Sequence, residues 1–179
     1  MHYSRFPRAV QPRLWARKEA SVDLRLTILV GTMTGTAQLV AEDVADALKA
    51  RSLTADVVPM DGLDAKVFDR GGAFLVCTST YGQGDVPDNA QKLFADLEQT
   101  KPDLKRIVYG VIGLGDRTYA QTFCFGPKRF DALLQSLGAR RIGEPMLHDA
   151  SGGTIPEELA IEWIGPWADQ FREERDKAA

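Results

Sequence analysis

Short apolar runs alternate along this chain with segments whose apolar residues recur at helical spacing, and that alternation limits the possible folds more than any other feature. The runs lie at residues 26–30, 73–78 and 107–112, with weaker ones at 55–59 and 141–147. Runs that are apolar at successive positions bury both faces, and strands of that kind separated by helices are those of a parallel sheet. The intervening helices are expected over residues 35–50, burying Val40, Val44 and Leu48, and over 90–99, with Leu93, Phe94 and Leu97 inward. A third carries Phe130, Leu133, Leu134 and Leu137 and ends at Gly138 as a C-cap. A closing helix begins near Pro156 and displays Leu159, Trp163, Trp167 and Phe171, with a kink or division expected at Pro166. The expected fold is α/β, a doubly wound five-stranded parallel sheet with helices on both faces, because right-handed crossovers place helices on each side.

In such sheets ligands bind beyond the carboxyl ends of the strands, so the loops there are where a site is expected. The first strand ends in Gly31-Thr32-Met33-Thr34-Gly35-Thr36-Ala37, a run of hydroxyls and glycines that opens into a helix. Amides at a helix N-terminus bind anions, and threonine hydroxyls add donors, so this run reads as a phosphate cradle or as an ordinary capped turn. It holds no Lys or Arg and no GxGxxG pattern, which disfavours ATP and NAD sites. The third strand ends in Ser79-Thr80-Tyr81-Gly82-Gln83-Gly84-Asp85, followed by Pro87-Asp88-Asn89, and the fourth in Gly113-Leu114-Gly115-Asp116 with Tyr119 and Phe123 beyond. Glycines there let backbone approach a ligand, and each tyrosine offers a flat face for stacking or for loop packing.

Together these three loops resemble those of the flavodoxin family, in particular the MioC-like short flavodoxins, and also the FMN domains of diflavin reductases. The resemblance runs from about Leu26 through the tryptophan-bearing last helix. It implies strand order 2-1-3-4-5 and one bound FMN. By matching position, Thr32, Met33, Thr34, Gly35, Thr36 and Ala37 would hold the ribityl phosphate. Ser79, Thr80, Tyr81, Gly82, Gln83 and Gly84 would line one edge of the ring, with Tyr81 and Tyr119 flanking it. Leu114, Gly115, Asp116 and Phe123 would form the second wall, and Asp149 would approach the dimethylbenzene or N5 side. The stretch from Tyr119 to Phe123 is one residue longer than the family spacing, and residues 148–153 depart from the family pattern. His148 reads as a loop histidine and not as a proton donor.

Charge and cysteine content bound the rest. Of 22 Lys/Arg and 25 Asp/Glu, residues 1–25 hold six bases and two acids, so the remainder carries a net charge of about −7. An acidic fold disfavours nucleic acid as a partner and suits docking on basic proteins. Acids at Asp85, Asp88, Asp116 and Asp149 would disfavour added negative charge on a reduced ring and lower its potential. Only Cys77 and Cys124 occur, without a metal-ligand pattern, so neither a disulfide framework nor a metal site is expected, and Cys77 reads as core.

Two units are expected: a mobile extension over residues 1–23 and one domain over 24–176. The extension, with Pro7, Pro12 and scattered arginines, reads as a presequence, a solvated tail or an upstream start. No apolar run reaches the length needed to cross a bilayer, so a cytoplasmic monomer is expected. The expected activity is single-electron shuttling from an external ferredoxin/flavodoxin-NADP-type reductase to an acceptor enzyme. The competing readings are an FMN-dependent NAD(P)H:quinone oxidoreductase, a detached FMN domain of a diflavin reductase and, more remotely, a receiver domain.

Overall fold

A computed structural model describes residues 25–178; the expected extension over residues 1–23 lies outside them. The elements follow the order β1 (Arg25–Gly31), α1 (Thr36–Ala50), β2 (Thr54–Pro59), β3 (Gly72–Ser79), α2 (Asp88–Thr100), β4 (Ile107–Gly115), α3 (Phe125–Ser136), β5 (Arg140–Arg141), β6 (Met146–Asp149) and α4 (Pro156–Ala178). A short 3-10 turn, Ala65–Arg70, precedes β3. The strands pair in parallel in the order β2-β1-β3-β4-β5, with β6 also on β4. This is the doubly wound order that the resemblance implies.

Both faces of the sheet are covered. On one, Ile28, Val30, Leu75 and Cys77 pack under α1 and α4, against Val40, Val44, Leu48 and Trp167. On the other, Leu29, Phe74, Val76 and Tyr109 pack under α2 and α3. There Phe94 and Phe130 meet edge to face at 5.1 Å. Alternate residues of β1 and β3 serve opposite cores, which explains why these strands read as unbroken apolar runs. Cys77 is core as expected, its thiol donating to the Ala37 carbonyl at 3.3 Å.

The C-cap of α3 is a Schellman motif. Gly138, at φ 94°, donates to Gln135 O at 3.0 Å, and Ala139 donates to Leu134 O at 3.0 Å. At the end of the chain the expected single fifth strand is corrected, and so is the expected division of the closing helix at Pro166. The fifth strand is split: β5 pairs as Val108↔Arg140 and β6 as Ile112↔Met146, so the lower strand carries two extra residues. Gly143, at φ 65°, turns the chain there. The ladder bonds lost at the break are replaced by α4, because Trp163 Nε1 donates to Glu144 O at 2.9 Å and Trp167 Nε1 to Ile142 O at 3.0 Å. The closing helix, by contrast, runs unbroken through Pro166. Pro166 and Glu162, the residue whose carbonyl it leaves without a helical donor, both lie exposed, so water can hydrate that carbonyl. On the inner face Trp163, Trp167 and Phe171 stack in series at 6.0 and 5.5 Å and hold the helix to the sheet.

Candidate functional site

Parallel winding sends the carboxyl ends of β1, β3, β4 and β6 to one edge, and there the loops enclose a cleft of about 720 Å³, within the usual range for small-molecule sites. Its lining comes from Thr34 and Thr36 after β1, from Ser79 at the end of β3 with Thr80, Gly82 and Gln83 beyond, and from Leu114 and Gly115 at the end of β4 with Asp116, Tyr119 and Thr122 beyond. His148, Ala150, Thr154 and Pro156 complete it.

The first loop ends in an N-cap that has no side chain. Gly35 sits at φ 91° and offers no capping hydrogen bond, and the first turn of α1 holds no acid. The leading amides of α1 are therefore left for an external anion, reinforced by the positive end of the helix dipole. Thr34 and Thr36 bring their hydroxyls within 3.4 Å of each other beside them. The Thr32 hydroxyl accepts from Gly35 N at 2.9 Å and so shapes the loop. Asn89 pins that loop to α2 by accepting from Thr32 N at 2.9 Å and donating to Val30 O at 3.2 Å. Met33 stands exposed with its sulfur accepting from Asp88 N, and Ala37 is buried.

The second loop is a tight reversal. Tyr81 and Asp85 exchange backbone bonds of 2.9 and 2.8 Å, with Gly82 at φ 53° and Gly84 at φ 101° between them. Helix α3 presses on it closely, since a Cβ at Gly126 would lie 2.6 Å from Ser79 O. Tyr81 projects at the rim, 48% exposed, and does not line the cleft, whereas Tyr119 lines it and is 68% exposed.

The far wall is held from behind. Phe123 is buried outside the cleft, its ring under the Arg117 guanidinium at 4.3 Å, with the Lys128 ammonium at 5.4 Å. Asp149 also stands outside the lining. Its Oδ1 accepts from Arg117 N at 2.9 Å, Ser151 N at 3.0 Å and Ser151 Oγ at 2.7 Å, while its Oδ2 faces Arg117 Nε at 3.5 Å. One carboxylate thus clasps the Arg117–Tyr119 turn to the Ala150–Gly152 turn. His148 is buried, and its Nε2 lies 2.7 Å from Thr154 O, which can only accept, so the ring nitrogen donates. Thr122, His148, Ala150, Thr154 and Pro156 were not among the expected site residues, and His148, expected on a loop, stands on β6. The rule that ligands sit past the carboxyl ends of the strands, applied to the last strand, points to Thr154 and Pro156; nothing local marks Thr122.

Comparison with known proteins identifies the arrangement. A family model described as Flavodoxin matches residues 28–163. The chain belongs to the flavodoxin family. It is 41% identical over 140 residues to "Flavodoxin YqcA" of Escherichia coli (strain K12), covering 78% of this chain and 93% of that protein. It is 35% identical over 147 residues to "Protein MioC" of the same strain, covering 82% and 98%. Among solved structures, a cysteine-to-alanine mutant of flavodoxin from Pseudomonas aeruginosa superimposes with a TM-score of 0.75 at 36% identity, over 83% of this chain and 99% of that one.

Flavodoxins bind FMN, and this chain is an FMN-binding electron-transfer protein. Its edge fits that cofactor, because an acid-free helix N-terminus with free amides suits a phosphate and the adjoining apolar and aromatic wall suits a flat ring. Bound FMN supplies the redox chemistry. The acids around the cleft are more compensated than the composition suggests, since Asp85 pairs with Arg129 at 2.9 Å and Asp149 with Arg117. Among the described residues, Asp88 and Asp116 have no ion pair.

The Asp149 clasp predicts an acid-sensitive wall. Bonds from the Arg117 amide, then from the Ser151 hydroxyl, hold its carboxyl below the ordinary value of 3.8. A lowered folded value means that the stabilisation is complete above about pH 4 and is lost as pH falls through that lowered value. Asp149→Asn is expected to raise the FMN dissociation constant about three- to tenfold near neutral pH, because an ionised acceptor makes the stronger bonds. It should also remove one step from the acid limb of the FMN-release profile, below the ordinary carboxylate value of 3.8. Flavin fluorescence on acid titration of both proteins measures this; superimposable profiles would show that the clasp does not govern the wall.

Proposed function

We propose that this flavodoxin shuttles single electrons from an external ferredoxin/flavodoxin-NADP-type reductase to an acceptor enzyme, as a monomer in the cytoplasm. In this reading the amides and hydroxyls over residues 34–37 bind the FMN phosphate. The Gly82 turn and Tyr119 hold the ring between them, with Leu114, Gly115 and Asp116 beneath. The 48% exposed Tyr81 shields the rim.

The observation that carries the reading is where the exposed apolar side chains lie. Of seven large hydrophobic residues exposed among the described residues, Met33, Tyr81 and Tyr119 stand on the loops around this one cleft, and Phe125 opens α3 beside the Gly84 turn. An apolar and aromatic ring with Asp88 and Asp116 at its margin is a surface for transient protein contact, with electrostatics guiding approach. A partner seated there reaches the cofactor edge directly. Among the described residues no helix is long and apolar enough to cross a membrane.

Anaerobic stopped-flow at the flavin band tests this. NADPH alone is expected to leave the FMN oxidised, and a catalytic amount of a ferredoxin-NADP reductase to reduce it. The rate should slow about tenfold between roughly 50 and 500 mM salt as screening removes the rim's attraction. Rapid NADPH oxidation by the isolated holoprotein with a quinone would instead establish the quinone reductase reading.

A further inference from the structure

The opposite edge of the sheet holds a second concavity, of about 460 Å³, at the amino ends of the strands. It has an apolar floor of Ala73, Val108, Ile142 and Phe171. Five arginines from separate parts of the fold border it: Arg25, Arg70, Arg106, Arg140 and Arg175. The sheet register accounts for the convergence. Leu26 pairs with Ala73, Gly72 with Ile107 and Val108 with Arg140, so Arg25, Arg106 and Arg140 stand at the amino ends of three strands within one residue of Arg25's level, and Arg70 ends the turn that feeds β3.

Three of these guanidiniums are paired, Arg25 with Asp56, Arg140 with Glu174 and Arg175 with Asp176. Arg70 and Arg106 have no ion pair among the described residues. Parallel winding points helix C-termini at this edge, and cations complement their dipoles, which explains the sign of the charge here. Dipole complementarity requires neither an apolar floor nor two unpaired guanidiniums facing one cavity, in a chain with more acids than bases. Arginine forks over apolar surface suit a ligand with an anionic head and a hydrophobic body.

We infer that this basal cleft is a second binding site, independent of the FMN site, for a small amphipathic organic anion, its head on Arg70 and Arg106 and its body on the Val108, Ile142 and Phe171 floor. Residues 1–24 hold five bases and two acids, a net charge of the same sign as the arginines of the cleft.

Calorimetric titration of the full-length, FMN-saturated protein with naphthyl phosphate tests the site. The expected result is saturable binding of one molecule with no release of FMN, and at least about tenfold weaker binding of inorganic phosphate and of naphthol, each of which lacks one half of the recognition. The double variant R70Q/R106Q should bind naphthyl phosphate about tenfold or more weakly while retaining its FMN absorbance, which certifies its fold. Absence of saturable binding, displacement of FMN by the probe, or equal affinity in the double variant would each overturn the assignment.

Discussion

Gly35→Val is expected to weaken FMN binding about 100-fold while changing riboflavin affinity only a few-fold. No atom lies within 4 Å of where a Cβ would stand at Gly35, so the cost is conformational and not steric. Gly35 holds φ 91°, a region that a β-branched residue occupies only with strain of about 1–2 kcal/mol. Relief of that strain turns the peptides on either side and misdirects the amides at the head of α1. Each charge-assisted bond to a phosphate contributes about 1.5–3 kcal/mol, so the loss of one strong bond gives about 2.7 kcal/mol, or the stated 100-fold. Riboflavin has no phosphate to lose, which makes it the control. Thr34→Ala should follow the same pattern with a smaller loss, about tenfold for FMN, because it removes one hydroxyl and leaves the backbone in place. Fluorescence titration of both ligands against apoprotein measures the difference; equal losses for the two would place the phosphate elsewhere.

Trp167→Ala should produce the largest loss of stability. The indole is 2% exposed, stacks on Phe171, and lies so near Gly110 that a Cβ there would stand 2.4 Å from its Nε1. Truncating a buried tryptophan costs about 3–5 kcal/mol through lost contacts and the cavity left behind. The Ile142 carbonyl, which accepts the indole N–H, then has no donor at the break between β5 and β6, adding about 1–3 kcal/mol where water cannot reach it. For a domain of this size each kcal/mol lowers the melting temperature by roughly 2–4 °C, so a fall of about 10 °C or more is expected. Trp167→Phe keeps most of the volume and loses the donor, and should lie between the two. Thermal and urea unfolding of the FMN-loaded proteins provide the measurement. A change below about 1 kcal/mol for the alanine variant would mean that β5 and β6 do not depend on this helix.

What was readable in the chain is what depends on near neighbours. The strand runs at 26–30, 73–78 and 107–112, the helical faces through Val40 and Leu93, and the Gly138 cap all follow from period, burial and the φ that glycine permits. The three loops of the cofactor edge were legible for the same reason, since each is contiguous and each begins where an apolar run stops. The tertiary structure decided whatever depends on partners distant in sequence. Trp163 and Trp167 reach back about twenty residues to carbonyls at Glu144 and Ile142, and those bonds satisfy the strand break while the stacked rings hold α4 to the sheet across Pro166. Phe123 and Asp149 carry the residue types of a cofactor wall, and the structure sets Phe123 under the cations of Arg117 and Lys128 and Asp149 on Arg117 and Ser151, outside the lining of the cleft. Tyr81 and Tyr119 look alike as loop tyrosines, and the backbone reversal between Tyr81 and Asp85 is what separates the rim from the lining. Arginines at positions 25, 70, 106, 140 and 175 become one edge only when parallel pairing brings the amino ends of their strands and the end of α4 together, because the position of charge in space is a property of tertiary arrangement and not of composition.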